Sequence, residues 1–508
     1  MHFFGEPAMS IAHLSLAGVN ALSRKAALCF LTLICLLVCG ISALALLAVF
    51  VNWTDEELAP QANCFLSLPD TVQAANPANS FYILKALNAG VGEEPMLAGI
   101  RQVAAEDVLY RKNPAAFLSG NHDVVYRTGD VGGAGIPFCN DNQLSCIPFY
   151  LHYREEWQRW RQSQPLLAVR FEQMLTLGHY SEQLSPAFIV QSLQVRLLRE
   201  ALHHNLLQTL FQVDAGQTAA GLERMQLQNQ WLRRVLANSR SVEIRETAMS
   251  ALFSQMRLLN DMLDAYPVLT QKHQQILINL VRPLDSPEKN LVPVFEAKAH
   301  RILTNMRLNP AYWESLLPEK RSALEQLAFQ ATFQPQATMN RLAIYWSAQI
   351  QEAAQPAAAL IAARRAGEKT EWLHSFWNEA SGYLMGIYNP AGQHIATRYE
   401  TDLAGRMTNR MTDLDNYFRL AGLKLMLIAE KIPDSQIMGT VAQADLRYRN
   451  AADNSAMQWN PRNRTLSFHA LQAAGDTVEG LPISVRLPLV PLRAACRCQP
   501  LSQLPPES

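Results

Sequence analysis

The chain has 508 residues, 49% of them hydrophobic and only 17% charged. Enough apolar matter for a core excludes a disordered polymer. Lys+Arg and Asp+Glu balance at 44 each. A nucleic-acid partner needs a basic face to displace counterions from phosphates, and none is expected here.

The first strong signal in chain order is a run from Ala26 to Val51 that holds no charged residue. About 20 apolar residues suffice to cross the hydrocarbon core, so this run is long enough for a transmembrane helix. Thr32 and Ser42 can bond back to the helix backbone, and Cys29, Cys35 and Cys39 count there as small apolar groups. A cleaved signal peptide would have a shorter apolar stretch followed by small residues, whereas Asn52-Trp53 follows here. Lipidation would want a small residue just before the cysteine, and neither Cys39 nor Cys64 has one. The run is therefore read as a retained anchor.

Arg24 and Lys25 precede the run and Asp55, Glu56 and Glu57 follow it. Basic flanks stay cytoplasmic, so Arg24 and Lys25 set the orientation. Residues 1–25 are expected in the cytoplasm, 26–51 in an inner (cytoplasmic) membrane, and the C-terminal remainder in the periplasm. Trp53 sits where an interfacial aromatic belongs. No later stretch qualifies as a span: the best, Leu423 to Ala429, contains Lys424 and stops at Glu430.

Residues 52–150 read as an extended and partly helical juxtamembrane region, with Pro60, Pro69 and Pro77 marking an extended approach over 52–80. Gly129, Gly132, Gly133 and Gly135 make a Gly-rich loop that runs into Ile136-Pro137 rather than a helix, unlike a phosphate cradle. Cys139 and Cys146 bracket Asn-, Asp- and Ser-rich turn residues. In an oxidising compartment they are the leading disulfide candidate, worth roughly 2–3 kcal/mol for so short a loop. Free thiols or a metal pair remain open. Cys64, Cys496 and Cys498 leave an odd number outside the span, and a bridge from the tail to Cys64 is the simplest pairing.

Residues 151–370 read as a helical body. Ser185-Pro186 supplies an N-cap and a first-position proline. Apolar stripes then follow in three helices, broken at Asp214–Gly216 and Asn238-Ser239 and ending at Tyr266-Pro267. Short turns between such helices make antiparallel hairpins, bundle-like or solenoid-like, with no strict repeat period. Further helices are expected over Val294–Leu308, Ala311–Phe333 and Ala337–Ala366, with Pro318 and Pro356 as kinks or breaks. Residues 371–508 read as a turn at Asn389–Gly392, a long helix carrying Leu414, Phe418, Ala421, Leu425 and Ile428, and a small β-hairpin tail. The hairpin pairs Met457–Trp459 with Leu466–Phe468, and Pro482, Pro488 and Pro491 keep Leu481–Leu492 at an edge or outside the sheet. The fold class is thus mainly α: an N-terminal transmembrane helix, a helical-hairpin ectodomain and a small C-terminal β-hairpin region.

The stretches NSFYILKALNAGVGEEPMLAG at Asn79–Gly99, Leu166–Leu263, IYNPAG at Ile387–Gly392 and the tail from Ile432-Pro433 resemble an uncharacterised group of single-span, membrane-anchored Gram-negative envelope proteins with a helical ectodomain. The tail also resembles a pattern of helix, proline and small hairpin, with NAADN at Asn450–Asn454 where that pattern has Asn-Pro-Phe-x-Gly. The resemblance implies no activity and no catalytic residue.

Chemical motifs are sparse. H-E-x-x-H, G-x-S-x-G and Walker patterns are all missing. Ser286–Lys289 matches S-x-x-K, but Glu368-Lys369-Thr370 is not followed by the glycine of a K-T-G partner. His203 and His204 are adjacent on a helix, point about 100° apart and cannot readily share a metal; one is expected at the core edge and one in solvent. Glu155-Glu156 near Tyr153, Trp157 and Trp160 hints at a carbohydrate site, but adjacent carboxylates do not flank a glycosidic bond. No catalytic, cofactor-binding or metal residues are assigned. The expectation is a non-enzymatic scaffold or protein-interaction module, with the lipid bilayer at 26–51 and another envelope protein as partners. An envelope hydrolase with a site assembled from scattered residues is the alternative.

Overall fold

The computed structural model describes residues 16–69, 74–114, 117, 136–139, 145–309, 313, 322–365, 388–399, 402–471 and 482–488. The Gly-rich loop at 129–135 and the cysteines Cys496 and Cys498 lie outside them. The fold is mainly α, with one long apolar helix at its N-terminal end and a small antiparallel sheet near its C-terminal end.

Helix α1 spans Leu16–Val51, and its segment Ala27–Val51 is long and apolar enough to cross a membrane. Within that segment every side chain is exposed except Ala48 and Val51, which are half-buried. Before its last turn the segment Ala27–Val51 has found no core, as expected of a membrane span.

The juxtamembrane segment departs from the extended approach expected of its prolines. Pro60 starts helix α2 (Pro60–Leu66), where a missing N–H costs nothing. Ala62 and Phe65 are buried, and His300 shares a 2.8 Å hydrogen bond with the Phe65 carbonyl. Short α3 (Phe81–Lys85) is buried at all its positions, with Phe81 stacked on Phe188 at 4.8 Å between centroids. Helix α4 (Pro95–Lys112) starts on Glu94, whose carboxylate accepts from the amides of Met96 and Leu97. It crosses α3 so closely that a Cβ at Gly99 would strike the Tyr82 carbonyl.

The body continues through α5 (Cys146–His152), α6 (Arg154–Ser163) and α7 (Pro165–Thr176). Ser185-Pro186 opens only a 3-10 turn, Pro186–Phe188, with Ile189 extended after it. The Ile189 carbonyl accepts from the Lys85 ammonium, which holds this piece of chain against α3. Helix α8 therefore starts later than its proline suggests, at Ser192–Asp214, followed by α9 (Thr218–Asn238) and α10 (Val242–Ala265). The three form antiparallel hairpins with tight turns, the first through Gly216 at φ +80°.

Next come α11 (Val268–Lys272), α12 (Gln274–Leu280), α13 (Ser286–Lys289), α14 (Val292–Leu308), α15 (Ala323–Thr332), α16 (Pro335–Ala353) and α17 (Ala357–Arg365). Pro356 separates α16 from α17, as the i−4 hydrogen bond lost at a proline requires. After α18 (Pro390–Thr397), helix α19 (Leu403–Ala429) is buried on nearly every face. It packs against α10, α12, α16 and strand β2, elements far apart in the chain. A solenoid unit touches only its sequence neighbours, so this arrangement is a bundle around a central helix.

Helix α20 (Asp434–Ala442) leads to the sheet β1 (Gln458–Asn460), β2 (Thr465–His469) and β3 (Pro482–Arg486), ordered β1-β2-β3. Trp459 lies opposite Leu466 and Phe468 opposite Ile483. Pro482 begins an edge strand, where its missing donor is tolerated. One hydrophobic cluster runs from Ala62 to Leu487 and includes side chains from α2, the α8–α10 hairpins, α19 and β2.

Candidate functional site

A dense polar arrangement that joins distant parts of the chain lies where the apolar helix ends. Asn52 follows Val51 and is buried. Its side-chain NH2 donates to the Ala48 carbonyl at 2.6 Å, capping the helix, while its Oδ1 accepts from the Asn389 amide at 2.6 Å. Asn389 takes the left-handed conformation, φ 42° and ψ 50°, one of the few a short polar side chain tolerates. From there its Oδ1 accepts from the amides of Gly392 and Gln334, and its NH2 donates to Thr338 Oγ1 at 2.9 Å. Gly392 admits no side chain: a Cβ would collide with Thr338 Oγ1 and with the Asn389 carboxamide.

The acidic triplet after the span belongs to the same junction. Asp55 accepts from the amides of Gln336 and Ala337 at 2.8 and 3.0 Å. It thereby caps α16, whose own N-cap residue, Gln334, makes no side-chain cap bond. Gln334 instead donates to the Thr54 carbonyl. Asn340 bridges back with its NH2 to Glu56 and the Glu57 carbonyl and accepts from the Ala59 amide at 2.7 Å. Tyr388 donates its hydroxyl to Glu56 at 2.6 Å, and burial together with that carboxylate raises the phenol's pKa. The exit of the apolar helix is thus tied to α16 and α18 through backbone groups.

Sequence reading assigned Asp55, Glu56 and Glu57 only a flanking charge and missed Asn52, Gln334, Thr338, Asn340 and Asn389. An N-P-A-G turn was visible, but the partner of its asparagine lies more than three hundred residues away. Arg24 and Lys25 fall within α1, which begins at Leu16 and so carries the helix through the basic flank.

Cys139 and Cys146 are joined by a disulfide. The loop is fastened at both ends: the Cys139 amide donates to Tyr150 Oη at 3.1 Å and the Cys146 amide to Asp261 at 2.7 Å. Cys64 is a free, exposed thiol on α2, and the tail cysteines of the pairing expected for it, Cys496 and Cys498, lie outside the described residues.

The remaining motifs resolve into structural roles. Lys289 of the S-x-x-K stretch reaches Asp415 at 3.5 Å, and Asp285 and Glu288 form a reciprocal capping box over α13. Glu288 also pairs with Arg233 at 2.8 Å, inside the core. Both His203 and His204 are buried, which corrects the expectation of one facing solvent. Phe138, α5 and α6 cover the face of α8 that carries the two histidines: His203 lies against Phe138 and Tyr150, and Trp160 stacks flat on His204 at 3.5 Å. Burial lowers His203 to about 4, and burial with the neighbouring imidazole lowers His204 to about 3.

Trp157 and Trp160 do line a cleft, with Glu172, His204, Asn205 and Gln208, but the cavity is about 20 Å3, room for about one water. Glu155 and Glu156 are not among its lining residues. Among the described residues no group of His, Cys, Asp and Glu converges as a metal site. No protein-family model matches the chain, and neither a curated protein nor a solved structure matches it significantly.

Proposed function

We propose that the chain is a single-pass inner-membrane protein of the envelope. In this reading the N-terminus is cytoplasmic, the helical body lies in the periplasm, and that body acts as a non-enzymatic scaffold that binds another envelope protein. The observation that carries the reading is the junction. A tether whose only task is to retain an enzyme near a membrane needs a loose linker. Here the exit of the apolar helix is capped by Asn52 and locked onto α16 and α18 by Asp55, Asn340 and Asn389. Such a joint transmits orientation from bilayer to body, which serves assembly geometry more than turnover. The basic flank at Arg24 and Lys25 supports the direction of insertion.

Cys64 provides a native reporter, exposed and free just past the junction. In the full chain carrying Cys496→Ser and Cys498→Ser, a membrane-impermeant maleimide added to spheroplasts is expected to label Cys64 without lysis. Labelling only after lysis would reverse the orientation. For the scaffold, crosslinking in native membranes is expected to trap one recurrent envelope protein on the helical body. Recovery of the chain alone, together with turnover of a wall substrate by the purified protein, sinks that part of the reading.

A further inference from the structure

Helix α15 (Ala323–Thr332) lies against α1 and against α18. Along Ala27–Val51 the side chains are covered only at Ala48 and Val51, so the body meets α1 at its last turn. A 25-residue span at 1.5 Å per residue is about 37 Å long, against a hydrocarbon core of about 30 Å. The last turn of such a span emerges into the headgroup zone, and a helix packed beside that turn lies at the same depth. On α15, Leu327 is 66% exposed and Ala331, one turn on, is exposed as well, flanked by the exposed but uncharged Gln326 and Gln330. Positions four apart share a helix face. The helix carries no Lys or Arg and a single acidic residue, Glu325, which is spent in a capping box with Ser322 at its start. Trp53, 78% exposed, stands at the same exit and is of the type that settles among headgroups.

We propose that α15 is a second, non-spanning membrane contact, lying in the bilayer interface beside the span with Leu327 and Ala331 against lipid. The proposal rests on the reading of Ala27–Val51 as a retained span. Lipid is the occupant because α15 packs on a helix read as spanning the bilayer, at the level where that helix emerges. Recognition is uncharged, with Leu327 as the apolar anchor and no basic patch, so anionic lipid is not required.

The test uses the full chain in phosphatidylcholine vesicles with a photoreactive benzoyl-phenylalanine at one of three exposed positions: Leu327, Ile41 within the span, or Leu446, exposed on the 3-10 turn Leu446–Tyr448. All three side chains are exposed, so the replacements leave the core intact. After irradiation, lipid adducts are counted by mass spectrometry. Adducts at Leu327 are expected at a level comparable to Ile41 and at least about tenfold above Leu446, as for an apolar face buried in the acyl boundary. Adducts at Ile41 with Leu327 no higher than Leu446 overturn the surface helix and leave the span standing. Background levels at both Leu327 and Ile41 overturn the span reading and the proposal together.

Discussion

At the residue scale the molecule depends on positions where one atom more or one charge fewer has nowhere to go. Gly392 faces Thr338 Oγ1 and the Asn389 carboxamide, both already committed to hydrogen bonds. Gly392→Ala must displace one of them and is expected to cost about 1–3 kcal/mol, the usual range for overpacking. A lowered denaturation midpoint checks this, and an unchanged midpoint would mean the turn has room that the geometry denies. Lys85 poses the opposite problem. Its ammonium is wholly buried, 2.7 Å from Glu106 and 3.0 Å from the Ile189 carbonyl, and burial pulls its pKa down against the carboxylate's pull upward. Lys85→Met removes the cation from a buried carboxylate and leaves it the Gln102 amide at 3.0 Å; breaking a buried pair in this way typically costs about 3–5 kcal/mol, while replacing both partners by apolar groups is often near neutral. The double variant Lys85→Met/Glu106→Leu is therefore expected to regain most of the stability lost by Lys85→Met alone. A double variant as unstable as the single would assign the loss to the Ile189 contact or to packing instead.

At the element scale, what the sequence shows tracks what each element draws on. The span, the three helices α8–α10, the long α19 and the β1–β2 hairpin carry their own periodicity, and the pattern suffices to find them. Helix α2 does not. Its seven residues bury only Ala62 and Phe65, and it is helical because α14 and α16 offer a surface to pack on. The start of α8 was misplaced because Ser185-Pro186 does cap a turn, yet the Lys85 contact to Ile189 keeps the next residues extended. Lys424 looked like a break in an apolar run. It is instead a buried partner of Asp264 at 2.8 Å, so α19 stays core on that face too. The junction was the least legible part, because α16 takes its cap from Asp55, across the chain. That division of labour is testable. Asp55→Ala removes the acceptor for Gln336 and Ala337, and loss of an N-cap costs about 1 kcal/mol. Amide exchange at those two residues is expected to quicken by roughly five- to tenfold. Asp55→Asn, an equally good cap, should restore most of the protection. Equal exchange in all three proteins would remove Asp55 from the cap.

At the scale of the whole molecule, Phe138, α5 and α6 close over one face of α8, and the groups they trap are two histidines. Neither ring nitrogen of His203, nor Nδ1 of His204, has a hydrogen-bond partner among the described residues, so at those three atoms no hydrogen bond offsets the burial, and it outweighs the Trp160 face and the Glu172 carboxylate that border His204. The folded protein holds His203 neutral down to about pH 4 and His204 to about pH 3, whereas a free imidazole takes up its proton near 6.5. Above about pH 6.5 folded and unfolded chains bind the same number of protons here, and the histidines leave stability unchanged. Below it the unfolded chain gains protons that the folded one refuses, so stability falls as the pH drops from about 6.5 towards the folded pKa values. Each such group contributes up to about 1.4 kcal/mol per pH unit in that window. His204→Phe keeps an aromatic ring under Trp160 and removes one titrating site. In denaturant unfolding of the full chain in detergent, the stability of the variant relative to the parent is expected to improve by about 2 kcal/mol between pH 7.5 and pH 5. The acidic groups elsewhere in the fold are common to both proteins and cancel in that difference. A gap that stays constant with pH would mean that the pocket admits the proton, through water or through local opening of α6.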